Sequence, residues 1–197
     1  MQGSGFYLTE GAQLTLDGVS TLVQTRPQSL NLQVQGSGTL LRLPQVQSAS
    51  TIPPYQLQLY AYTGGRIEIP RLKTLIGSLE IYATDAGSVI DLSGWTGPLA
   101  APSGSTIELE ARDGGAISIP GLTGLDRANL ILRRGAIITT AQLGAITRSR
   151  VLVDAANAVF GALSDTTGTT FEYVNGGTAS FPTPSDLLVP ETRAPAT

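Results

Sequence analysis

Residues 55–72, YQLQLYAYTGGRIEIPRL, hold the pattern that decides the fold. Leu57, Leu59 and Ala61 alternate with Gln56, Gln58, Tyr60 and Tyr62. A period of two puts apolar side chains on one face of a strand and polar ones on the other; a helix would space them three and four apart. Gly64-Gly65 breaks the alternation at a corner, because glycine enters positive-φ conformations at little cost. Ile67 and Ile69 resume it, and Pro70, lacking an N–H, ends the second strand.

The unit recurs as LNLQVQGSGTLLRLPQV (30–46), SLEIYATDAGSVIDL (78–92, with one extra residue near Ser88) and TIELEARDGGAISIPGL (106–122). Weaker copies follow at 151–163 and 171–181. Aligning the second apolar stretch on Leu14, Leu41, Ile67, Ile90, Ile117 and Ile137 gives steps of 27, 26, 23, 27 and 20 residues. Steps this uneven place insertions at corners. Gly114-Gly115 and Gly176-Gly177 repeat the positive-φ corner of Gly64-Gly65, and Pro44 and Pro120 repeat the stop at Pro70. Ala61, Ala83, Ala111 and Ala155 are expected at one inward position, a narrow part of the cross-section.

Strands of about five residues need partners. Stacking equivalent strands gives parallel pairing, and burial of about 1.5–3 kcal/mol per aliphatic side chain lets neighbouring repeats offset an ordering cost that one repeat cannot. The expected fold is all-β: a right-handed single-stranded parallel β-helix (β-solenoid) of about seven rungs of 20–28 residues over 1–180, then a Pro/Thr-rich tail or linker over 181–197. Leucine-rich repeats are the alternative, imitated by LKTLIGSLEIYAT (72–84). Alanine stands where those repeats bury an asparagine, and a second alternating stretch replaces their convex segment.

GGRIEIPRL (64–72), GSVIDLSGW (87–95) and GGAISIPGLTGL (114–125) resemble the imperfect β-solenoid repeats of very large secreted or surface bacterial proteins. FYLTEGAQLTLDG (6–18) is similar to rungs of adhesin and autotransporter passengers. The resemblance covers residues 6–163. It implies an extended, extracellular or cell-surface, adhesin-like segment whose partners are neighbouring repeat segments of a longer chain. It brings no catalytic motif.

Composition narrows the function. Apolar residues make up 41% and charged residues 14% of the 197, against roughly 25% charged in ordinary globular domains. The net charge of −3 and the absence of any basic cluster beyond Arg133-Arg134 argue against nucleic acid. With no cysteine and no histidine, the chain lacks disulfides, thiolate chemistry and the commonest general base and metal ligand. No apolar run approaches the ~18 residues of a membrane span, so membrane insertion is not expected. Met1–Gly5 does not read as a signal peptide, and the tail suggests a piece of a longer precursor.

No catalytic residue, metal site or cofactor is assigned. Outward positions on stacked strands form columns. Tyr60 and Tyr82 are placed in one column with Glu110 and Arg133; Tyr62 lies in the next with Thr84 and Arg112. Gln58, Glu80 and Glu108 form a third. Tyr60, Tyr62, Tyr82, Glu80, Glu108 and Glu110 thus make a candidate glycan face, tyrosine stacking on sugar rings and carboxylates binding hydroxyls; the alternative is a ladder that only covers the sheet. The Glu80/Glu108 pair could also hold calcium or cleave a glycosidic bond. Calcium wants six to eight oxygens, and a glycosidase wants a cleft as well as two carboxylates. On the second face Arg42, Glu68, Asp91 and Ser118 share a column, with Arg42–Glu68 as a cross-repeat ion pair. Thr139-Thr140 is too isolated for an ice-binding array. Trp95 reads as a core or corner filler. Arg133, Arg134, Arg148 and Arg150 read as a mild basic patch balancing acidic repeats or contacting the next segment.

Overall fold

The computed structural model describes residues 4–181, and over them the chain is all-β, with every strand pairing parallel. The strands Ser4–Thr9, Leu30–Gln35, Gln56–Tyr62, Ser78–Thr84, Ile107–Arg112, Ala128–Arg133, Arg150–Asp154 and Thr170–Val174 lie side by side in chain order as one eight-stranded sheet. A second sheet orders Gln13–Thr15, Leu40–Arg42, Arg66–Glu68, Val89–Asp91, Ala116–Ser118 and Ile137–Ile138 in the same way. Parallel strands cannot be joined by a tight hairpin, and here the connection between partners runs through the other sheets.

Equivalent inward residues of the first sheet are Phe6, Leu32, Leu59, Ile81, Leu109, Leu130, Val151 and Phe171. Their steps run from 20 to 28 residues, the range expected, but the eight strands exceed the about seven repeats expected, because the weak Phe171–Phe181 unit supplies a strand of its own.

The two-stretch unit omits a third short strand. Thr21–Val23, Ser48–Ser50 and Thr74–Ile76 form one three-stranded sheet; Thr96–Ala100, Gly121–Asp126 and Ala145–Thr147 form another. The first of these stacks Leu22, Ala49 and Leu75 as its inward residues, one per strand. One apolar residue per strand leaves no alternation to detect.

Three other expectations are corrected. The alanine column runs Val34, Ala61, Ala83, Ala111, Leu132, Val153; Ala155 is exposed at φ 49°, past the strand end. Ile138, not Ile137, pairs with Ile117, and Ile137 is 59% exposed; two adjacent isoleucines satisfy an apolar pattern equally, and only strand register chooses between them. Finally, the paired glycines divide the work of the corner. Thr63 and Gly64 both take positive φ, closed by Gly65 N–H donating to the Tyr62 carbonyl at 2.9 Å, and Asp113-Gly114 with Gly115 does the same. The second glycine is needed for clearance: a Cβ on Gly115 would lie 2.3 Å from the Ala83 carbonyl oxygen.

The extra residue near Ser88 leaves the strands in register, Val89 facing Arg66 and Ile90 facing Ile67. Ser88 turns inward, fully buried, and its Oγ accepts from Gly64 N–H at 2.9 Å. Thr39 occupies an equally long corner and accepts from Gly11 N–H at 2.9 Å. Each hydroxyl satisfies a backbone donor that the tighter corner of the preceding repeat leaves over.

Trp95 is buried in the core, its Nε1 donating to the Gly97 carbonyl at 3.2 Å. Its backbone N–H closes the same turn that Leu72 and Leu122 close in their repeats. At the C-terminal end Phe160 and Phe171 are fully buried and pack edge to face, with Phe181 stacked on Phe160 at 5.5 Å between ring centres. Apart from Phe181, the tail expected at 181–197 lies outside the described residues.

Candidate functional site

The outer face of the first sheet collects the six candidate residues. Register sets Gln58, Glu80 and Glu108 in one column, and Tyr60, Tyr82 and Glu110 in the next. Tyr62, Thr84 and Arg112 make the third, and Gln35 and Gln33 extend the tyrosine columns toward the N-terminus. Arg133 is not in the Tyr60 column. The residue opposite Glu110 is Ile131, and Arg133 lies two positions on, opposite Asp154. The repeat step here is 21 residues, shorter than the spacing that would align Arg133 with Glu110.

The three tyrosines form one cluster. Ring centres lie 6.2 Å apart for Tyr60–Tyr62, 6.4 Å for Tyr60–Tyr82 and 5.5 Å for Tyr62–Tyr82, all tilted or edge-on. The Arg112 guanidinium sits 5.0 Å from the Tyr82 ring centre, within cation–π range. Burial, and then a hydrogen bond to Glu80, push the Tyr60 phenol well above its ordinary value. Burial raises Tyr62 and Tyr82 as well. These rings are half-buried against one another, so much of the aromatic surface that a sugar would stack on is already covered.

The carboxylates are engaged too. Gln58 Nε2 donates to Glu80 at 3.0 Å, Asn129 Nδ2 to Glu108 at 3.2 Å, and Arg133 Nε to Glu110 at 2.9 Å. Among the described residues no group of three or more acidic side chains is placed to hold a metal ion. A shallow recess of about 490 Å³ opens beside the Tyr62 column, lined by Tyr7, Thr9, Glu10, Gln35, Gly36 and Thr63. Tyr7 is 64% exposed there, and its hydroxyl donates to Gln35 Oε1 at 3.0 Å.

The arginines read as a basic patch are all paired across repeats. Arg133 bridges Glu110 and Asp154 at 2.9 and 2.8 Å; Arg134 binds Asp113 at 2.7 Å; Arg150 binds Glu172 through two nitrogens at 2.9 and 2.8 Å. Arg148 grips Asp126 through Nε and Nη2 at 2.8 and 2.6 Å, which holds that carboxyl below the usual range. Arg42 and Glu68 form the expected ion pair on the second face at 3.3 Å.

Sequence reasoning missed one feature. Ile131 and Leu152 point outward yet are only 6% exposed, apart from the core. Their same-face neighbours are Asn129, Arg133, Arg150 and Asp154, whose long stems can shield apolar surface while the charged ends pair. The signal was the unbroken apolar run LIL (130–132) and VLV (151–153).

No protein-family model, curated protein or solved structure matches this chain.

Proposed function

We propose that the chain is a right-handed β-solenoid that acts as a non-enzymatic structural or adhesive segment of a secreted or cell-surface bacterial protein. The observation that carries this reading is the self-satisfaction of the outer face: the polar groups that could meet a ligand are bonded to the repeat before or after them. Glu80, Glu108, Glu110 and the four late arginines all follow this rule. The strand order supports the coil, and parallel crossovers are right-handed in about 98% of cases. The resemblance of 64–72, 87–95 and 114–125 to adhesin-like repeats supports the surface location, and neighbouring repeat segments are the natural partners. Solution scattering checks the shape: eight stacked strands at ~4.8 Å give a stack roughly 35 Å long. Fractionation of the source cells with an antibody against this segment checks the location. Recovery in the envelope or medium is expected; a cytosolic pool sinks the surface reading.

A second reading, carbohydrate binding or processing on the Tyr/Glu face, is favoured by one observation. The exposed Tyr7 and Gln35 carry the polar-aromatic surface past the crowded cluster and into the recess. A glycan array and an activity screen on acidic polysaccharides separate the two readings. A signal abolished by Tyr60→Ala or Glu108→Gln supports the second; a flat result across all glycans removes it.

A further inference from the structure

The two ends of the stacked sheets are built differently. At the N-terminal end Phe6 is 39% exposed, although the rest of its inward column, from Leu32 to Phe171, is fully buried. Leu14 and Leu16 are half-buried, where Leu41 and Leu43 one repeat on are fully buried. Ser4–Thr9, Gln13–Thr15 and Thr21–Val23 are each the last strand of their sheet, so no described strand pairs with their outer edges. Free edges in soluble proteins are commonly blunted by charge or proline. These three strands carry neither. At the opposite end the Phe160–Phe171–Phe181 cluster closes the core.

We propose that the N-terminal end is an association surface for a second copy of this chain, the two Ser4–Thr9 strands meeting across a two-fold axis with Phe6 of each copy at the junction. The inference rests on the stacked-repeat reading above. The end presents what each repeat presents to the next: a parallel edge over an inward aliphatic row. Its complement is therefore another such end. Because the phenylalanine cluster covers the far end, head-to-tail stacking is blocked, and the pairing closes at two copies rather than running into a fibre.

Sedimentation across a concentration series tests this. A reversible monomer–dimer equilibrium is expected, with amide exchange over Ser4–Thr9 slowing as concentration rises. Tyr7→Lys places a cation on the free edge without touching the core and should weaken the dimer about tenfold or more. Thr170→Lys, an exposed position on the far edge, should leave it unchanged. A strict monomer, a larger polymer, or a dimer indifferent to Tyr7→Lys overturns the proposal. Circular dichroism keeps the two readings apart: a strand spectrum in a chain that stays monomeric sinks the dimer alone, whereas a helical spectrum sinks the repeat reading with it.

Discussion

Glu80 and Glu108 stand directly opposite each other on adjacent parallel strands, and each takes its amide hydrogen bond from the repeat on its far side, Gln58 for one and Asn129 for the other. Like charges opposed in a sheet destabilise it, and the two donors pull the carboxylates apart without removing the repulsion.

Glu108→Gln should therefore stabilise the fold by about 0.2–1 kcal/mol, since the amide oxygen still accepts from Asn129. The gain should shrink as salt is added. Denaturant titrations at low and high ionic strength measure both effects, and a loss of stability on substitution would mean that the pair is held by something other than these amides.

The paired glycines yield a graded comparison. Gly115→Ala drives a methyl group to 2.3 Å from a backbone oxygen, which should cost about 1–3 kcal/mol as overpacking even after relaxation. At Gly176 a Cβ meets nothing within 4 Å but φ is +78°, so Gly176→Ala should cost only the left-handed penalty of about 1–2 kcal/mol. Equal midpoint shifts in thermal melts would contradict this division of labour.

Ser88→Ala keeps the corner's shape and removes the acceptor of the Gly64 N–H. Leaving that donor unsatisfied should cost about 1–3 kcal/mol. Faster amide exchange localised at Gly64 is the accompanying signature, and Ser88→Thr, with its hydroxyl in place, should lose less.

The pH dependence has two limbs with opposite signs. Asp126 is depressed in the folded state, chiefly by its bonds to Arg148, so its contribution is complete above the ordinary carboxyl value near 3.9 and is lost as pH falls through the folded value. Asp126→Asn should flatten the acid limb of stability against pH. Tyr60 is raised by burial and by Glu80, so its contribution is complete below the ordinary phenol value near 10 and is lost as pH rises toward the folded one. Tyrosinate absorbance should show a late-ionising phenol, missing in Tyr60→Phe.

The sequence by itself determined the all-β class, the alternation, the corners and the columns of Gln58, Glu80, Glu108, Tyr60 and Tyr82. A period of two and a glycine corner are local properties that repeat, and they need no partner to be read. Whatever depended on which residue faces which across repeats was decided only by the tertiary structure. Register chose Ile138 over Ile137, sent Arg133 out of the tyrosine column, and turned Ser88 from a slip into a buried acceptor. It also made the third short strands, whose single inward residues carry no periodic signal, and it decided the candidate site. Tyr60, Tyr62 and Tyr82 look like free rings when read along the chain. Stacked about 5 Å apart, they bury one another, because parallel pairing brings side chains of successive repeats into contact.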